Sequence, residues 1–274
     1  MINIYKGIAP SSLVSEGEEH ARNLCATYDA DPASYRDGTR LMEVSDSICK
    51  TDIVRAELEA CHFGKCCYCE TVIPKPFAHS HIEHWRPTNS SRQGRGETRT
   101  RPGYYWLVNS WDNLLLSCFF CNTTNKSDLF PLRNPPTRAR HHGMRLEDEE
   151  PGILKPDGDQ DLRDHITFAE DVPVGLTDLG RKTIQVLGLD SVKHSLRREV
   201  LAKIRNDRRE LLDLMAINHP MAREIADQRR KSIEDAILPN KPYSAMVAAF
   251  LATYPLPELA PEMARGAGGE PSID

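Results

Sequence analysis

An α+β fold, made of a zinc-stapled module followed by a mainly helical C-terminal region, is what this sequence of 274 residues predicts. Three observations carry that expectation. Two Cys-x-x-Cys pairs, Cys66 with Cys69 and Cys118 with Cys121, are set far apart in the chain, and two such knuckles supply the four thiolates of a structural, tetrahedral Zn²⁺ site. The segment between them is made of short β-prone pieces broken by prolines, whereas residues beyond 177 carry apolar side chains at helical spacing.

Composition limits the alternatives. Hydrophobic residues make up 39% and charged residues 27% of the chain, ordinary globular values that exclude a mainly disordered or fibrous protein. No run of about eighteen apolar residues is present, and Met1 to Lys6 lacks the layout of a signal peptide. A soluble, cytoplasmic protein with no membrane partner is therefore expected. In a reducing compartment, eight cysteines are better explained by metal than by disulfides. Cys25, Cys49, Cys61 and Cys67, outside the two pairs, read as packed or free thiols. The formal net charge of −5 excludes a globally basic protein, so any contact with a polyanion needs local positive charge or delivery by a partner.

In order along the chain, residues 1–63 read as an N-terminal arm and a helix. Pro10, Gly17, Pro32 and Gly38 punctuate the arm. A helix is expected from about Ser45 to His62, with Ser45 or Ser47 as its cap and Gly64 as its stop. The module spans 64–132. Thr71-Val72-Ile73 reads as a short strand, and Phe77 to Trp85 as a second that Pro87 ends. Adjacent residues of a strand point to opposite faces, so Glu83 and His84 can share a site only if the backbone bends there. His79, His81 and Glu83 form a competing metal-binding row on one strand face.

Residues 88–103 hold Arg92, Arg95, Arg99 and Arg101 against one acid, Glu97. This is either a mobile phosphate clamp or a solvated insertion. Tyr104 to Val108 fits a strand, Trp111-Asp112-Asn113 a turn, Leu114 to Cys118 a strand, and Asn122 to Asp128 a short helix, with Lys126 read as a surface lysine or a phosphate contact. Residues 133–176 read as an irregular connecting segment. Residues 177–255 read as helical: Leu196 to Met215 shows an apolar face opposite Arg197, Arg198, Lys203, Arg205, Arg208 and Arg209, Pro220 breaks the pattern, and a last helix runs from Tyr243 to Ala252. Residues 256–274 read as a disordered tail.

The motifs Cys66-Cys67-Tyr68-Cys69-Glu70, Ile82-Glu83-His84-Trp85-Arg86-Pro87, Trp111-Asp112-Asn113-Leu114-Leu115-Leu116-Ser117-Cys118 and Cys121-Asn122 resemble those of the HNH (ββα-metal) endonucleases. With Lys126 to Leu132 and Lys241 to Ala245 they are similar to the HNH effectors of Septu-type and retron-linked anti-phage systems. The resemblance implies a phosphodiester hydrolase acting on DNA, with RNA as the alternative substrate, and an ABC- or SMC-like ATPase partner. It implies His84 as general base, Glu83 and Asn122 as ligands of a catalytic divalent ion, Asn113 as the brace of the loop, and Arg86, the loop arginines and Lys126 as nucleic-acid contacts. Oxygen ligands favour Mg²⁺ or Mn²⁺ at the catalytic position, apart from the structural Zn²⁺. The rival from another class is a zinc-stapled nucleic-acid-binding or partner-docking module without catalysis.

Overall fold

The computed structural model describes residues 1–74, 80–191 and 196–257. His79 and most of the expected tail, from residue 258, lie outside them.

The N-terminal arm holds a helix that its punctuation conceals. Helix α1 (Ser11–Ala30) buries Leu13, Gly17, Leu24 and Tyr28 along one face. Gly17 is a point of close approach and not a break, since a Cβ there would stand 2.7 Å from Asn109 Cβ. A short α2 (Pro32–Asp37) follows, capped by Asp31 and ended by Gly38 in the left-handed region. Tyr28, Tyr35, Tyr105 and Val108 form a small core under these two helices. Helix α3 (Asp52–His62) is shorter than expected because Thr51, not Ser45 or Ser47, caps it, accepting from Val54 N–H at 3.5 Å.

Strands β1 (Ser80–His84) and β2 (Leu114–Cys118) pair antiparallel, with Glu83 opposite Leu115 and His84 opposite Leu114. The expected strand at 71–73 is reduced to an isolated bridge between Val72 and Lys65 across the first knuckle. Tyr104 to Val108 is not a strand either: Tyr105–Leu107 is a 3₁₀ turn that packs buried aromatics on α1. Trp111–Asn113 is the expected turn, wound as 3₁₀. Beyond β2 a π-helix, Phe120–Lys126, carries the second half of the second knuckle.

Within the connecting segment, β3 (Ile166–Ala169) and β4 (Val172–Gly175) make a hairpin. Helices α4 (Asp178–Leu187), α5 (Leu196–Met215), α6 (Pro220–Asp235) and α7 (Ser244–Thr253) complete the chain. Pro220 opens α6 at its first turn, where its missing N–H costs nothing, under a His219 cap.

Beyond the small tyrosine core, two larger clusters hold the chain together. One cluster joins the knuckle cysteines, β1, β2 and the Phe130 loop to Leu179, Ile184 and Leu187 of α4. A second packs α5, α6 and α7 together. The two are tied by Lys241 to Ala245: Lys65 Nζ donates to Lys241 O at 2.7 Å, Thr71 Oγ1 meets the Tyr243 hydroxyl at 3.0 Å, and Ser244 Oγ donates to the buried Glu70 carboxylate at 3.0 Å.

Candidate functional site

The two knuckles converge. In the first, Cys66 N–H donates to Thr71 O at 2.9 Å and Glu70 N–H to Cys66 O at 3.0 Å, with Glu70 at φ 62°. That tight turn brings the Cys66 and Cys69 sulfurs to one side. In the second, Cys118 ends β2 and Cys121 stands in the first turn of the π-helix. The Cys67 N–H bonds to Leu116 O at 2.9 Å and joins the two knuckles through the backbone.

All four sulfurs lie within 4.8 Å of one another, and Cys69 Sγ stands 3.7 Å from Cys118 Sγ. A zinc tetrahedron with bonds of about 2.3 Å has sulfur–sulfur edges of roughly 3.8 Å. Three of the four cysteines are buried and one is half-buried, so the cluster could hold a zinc ion. Cys67, outside the four-sulfur set, is a buried thiol whose burial pushes its pKa up, and it contacts Cys66, so it is not turned away as the Cys-x-x-Cys spacing suggests.

Beside the cluster, β1 stays regular through its last residue, and Glu83 and His84 accordingly point to opposite faces. The Glu83 carboxylate is 2% exposed. Its Oε1 meets Lys126 Nζ at 2.5 Å and accepts from the Tyr68 hydroxyl at 3.3 Å. Burial pushes the Glu83 pKa up, against the pull of Lys126 in the other direction. On the far face, His84 Nε2 lies 2.8 Å from Val108 O and 3.8 Å from Cys49 Sγ. A carbonyl only accepts, so Nε2 carries the proton and Nδ1 is left as the basic nitrogen. Burial lowers the His84 pKa and favours this neutral form.

Asn113 braces the corner between them. Its Oδ1 accepts from Arg86 N–H at 2.7 Å, and its Nδ2 donates to Arg86 O at 3.0 Å and Leu107 O at 3.3 Å. The same turn sends Asn113 O to Trp85 N–H at 3.0 Å. Asn122 is half-buried, and its side chain makes no hydrogen bond among the described residues. A divalent ion does not fit this arrangement as it stands, because the Lys126 ammonium already pairs with the Glu83 carboxylate.

The basic residues are more constrained than the sequence suggests. Lys126 is a correction: with 0% exposure it is neither a surface lysine nor able to touch a phosphate from where it stands, because its charge neutralises Glu83. Arg86 packs over the Trp85 ring at 4.8 Å and pairs with buried Glu149 at 3.0 Å. Residues 91–100 are anchored at several points, although 95–99 are exposed. Ser91 bridges Thr100, Arg92 and Arg99 pair with Asp128 at 2.5 and 2.7 Å, and Arg95 donates to Asn125 O at 2.8 Å. Arg95, Arg99 and Arg101 remain exposed. His81, from the competing row, lies against Phe119 with ring centroids 5.6 Å apart and the planes tilted by 52°.

Sequence reasoning missed Tyr68 and the Val108 carbonyl as partners of the Glu83–His84 pair, and Glu149 as the buried acid under Arg86. A backbone carbonyl leaves no mark in a sequence. Glu149 stands inside the acidic block Glu147 to Glu150, where nothing distinguishes it from solvated neighbours.

These observations define an α+β protein with a four-cysteine cluster beside a strand end that carries a buried Glu83 and a half-buried His84. No family model matches the chain. It is 31% identical over 228 residues, 75% of either chain, to the Septu protein PtuB of Bacillus mycoides (strain KBAB4). The chain belongs to the family of that Septu protein.

Proposed function

We propose that this protein is the HNH-type endonuclease of an anti-phage defence system, hydrolysing phosphodiester bonds of DNA in company with an ABC- or SMC-like ATPase. The observation that carries this reading is the similarity to the Septu protein over 228 residues. The site adds chemical support. A neutral His84, held by Val108 O through Nε2, offers Nδ1 to take a proton from water. The Asn113 clamp on Arg86 keeps that corner from opening.

The charge distribution favours a partnered enzyme. Many cations of α5 and α6 are engaged within the fold: Arg197 is buried against the Asp171 and Leu189 carbonyls, Lys203 and Arg229 pair with Asp207 at 2.5 and 3.0 Å, and Arg205 pairs with Glu170. Of the cations on these two helices, half-buried Arg208 and exposed Arg209 and Arg223 are the ones left without an acid partner among the described residues, a small set with which to hold a polyanion at physiological salt. Exposed Ile217, Met221 and Ile225, at the turn from α5 into α6, offer the partner an apolar surface.

The test is cleavage of plasmid DNA and of RNA with Mg²⁺ or Mn²⁺, with and without the ATPase. His84→Ala should lower cleavage by about 10²- to 10⁴-fold with zinc content and circular dichroism unchanged. Met221→Glu with Ile225→Glu should abolish copurification with the ATPase. Undiminished cleavage by His84→Ala refutes the assignment of the base.

A further inference from the structure

Lys126 behaves unlike a lysine in a short helix beside solvent. Its side chain is 0% exposed, and its ammonium grips two oxygens from successive residues of β1: Glu83 Oε1 at 2.5 Å and His84 O at 2.9 Å. A lysine ammonium is a compact point charge, and oxygen is the ligand type of hard divalent cations. Such an ion at Glu83 would share one carboxylate with that ammonium and would face a like charge at close range. In a buried setting, repulsion between two cations held by a single carboxylate weakens the binding of either one.

We propose that Lys126 is a resident cation that competes with the catalytic divalent ion for Glu83, so that the ion enters only when Lys126 withdraws. The proposal rests on the nuclease reading and specifies how its site is held off. Local structure supplies the means of withdrawal. Phe120–Lys126 is wound as a π-helix and closes on Ser127 at φ 47°, a left-handed residue that is not glycine. Wide windings of this kind are costly and concentrate at functional sites. Cys121, at the other end of the helix, belongs to the sulfur cluster. Rewinding toward α geometry would therefore turn Lys126 about the helix axis while the cluster stays in place.

The experiment uses the full chain with its zinc and titrates Mn²⁺, following free Mn²⁺ by electron paramagnetic resonance. Lys126→Met should bind one Mn²⁺ about tenfold or more tightly than wild type, and adding Glu83→Gln to it should abolish the gain. Unchanged or weaker Mn²⁺ binding by a folded Lys126→Met overturns the proposal. Removing one member of a buried pair can unfold a protein, so the wild type carries a second arm. Labelling of Lys126 by an amine reagent, read by peptide mass spectrometry, should rise several-fold on adding Mn²⁺. Constant labelling up to the highest Mn²⁺ concentration that leaves the zinc in place overturns it as well. Cleavage measured in parallel separates the two readings. A Lys126→Met that gains Mn²⁺ and cuts nothing sinks the nuclease reading alone, whereas a wild type that cuts DNA without any change in labelling sinks the competition alone.

Discussion

The sulfur cluster and the Glu83–His84 corner share β2 and the π-helix, yet they reach different degrees of assembly. Four sulfurs converge within 4.8 Å because backbone turns aim them, and a turn held by Cys66 N–H to Thr71 O has few other ways to fold. At the corner, the side chains have alternatives. Glu83 takes a lysine, His84 takes a carbonyl on the opposite face, and Asn122 takes no partner among the described residues. Backbone-built sites are thus complete before any ligand arrives, and side-chain-built sites hold whichever partner the chain itself provides.

The largest expected effect breaks the first half of that contrast. A structural zinc in such a cluster contributes on the order of 10 kcal/mol, and these cysteines sit inside the main core beside Leu116 and Ile82. Cys121→Ser, or prolonged chelation, should abolish cooperative unfolding, and metal analysis of the wild type should find one zinc per chain. A well-folded, zinc-free preparation would refute the staple and would leave the cluster a packed thiol nest.

A smaller effect concerns how β2 is held to α3. His62 is buried, its Nδ1 donating to Leu58 O at 2.6 Å while its Nε2 accepts from Leu116 N–H at 3.2 Å. Burial depresses its pKa to about 4, against an ordinary 6.5. A second proton would set an N–H against the Leu116 N–H. The sign follows: the unfolded chain binds a proton that the folded chain refuses, so this stability is present above about 6.5 and declines as pH falls toward about 4, by roughly 2–3 kcal/mol. Denaturant midpoints between those pH values check it, with His62→Gln as the variant that should flatten the slope. An unaltered slope in that variant would assign the acid lability elsewhere.

Much of the fold was legible where spacing speaks without context. The paired cysteines, the Pro-ended strand at Glu83–His84, the turn at Asn113 and the helices at Leu196–Met215 and Ser244–Thr253 all show in the sequence. Helix α1 did not, because Gly17 reads as a break and only its packing on Asn109 explains it. The β3–β4 hairpin was hidden in an acidic, proline-rich stretch. At the site, residue types were legible and partners were not: nothing local tells a buried lysine from an exposed one. The basic residues of α5 show in the sequence, but some of their partners come from elsewhere in the chain, Asp171 for Arg198 at 3.4 Å and Glu170 for Arg205.

The smallest expected effect tests whether the arginine loop belongs with the backbone-built or the side-chain-built parts of the molecule. Asp128 gathers Ser90 Oγ at 3.1 Å, Arg92 at 2.5 Å and Arg99 at 2.7 Å. Partial burial works against its charge, yet the Arg99 and Arg92 hydrogen bonds hold its carboxyl below the ordinary range. Its contribution is present above the ordinary aspartate pKa and is lost as pH falls through the lowered one. Arg99 is half exposed, with 50% of its side chain in solvent, so Asp128→Asn should cost only about 1 kcal/mol. The Ser91–Thr100 bridge and the backbone bonds from Arg92 N–H to Asp128 O at 2.8 Å and from Phe130 N–H to Arg92 O at 2.9 Å remain in the variant. They should hold the loop near its place while two guanidinium groups are freed. Asp128→Asn should then bind DNA more tightly than wild type at low salt, with a steeper salt dependence as added cations meet phosphates. Hydrogen exchange over residues 91–100 separates the two cases. Protection that survives in the variant puts the loop with the backbone-built parts, and protection that collapses puts it with the side-chain-built parts.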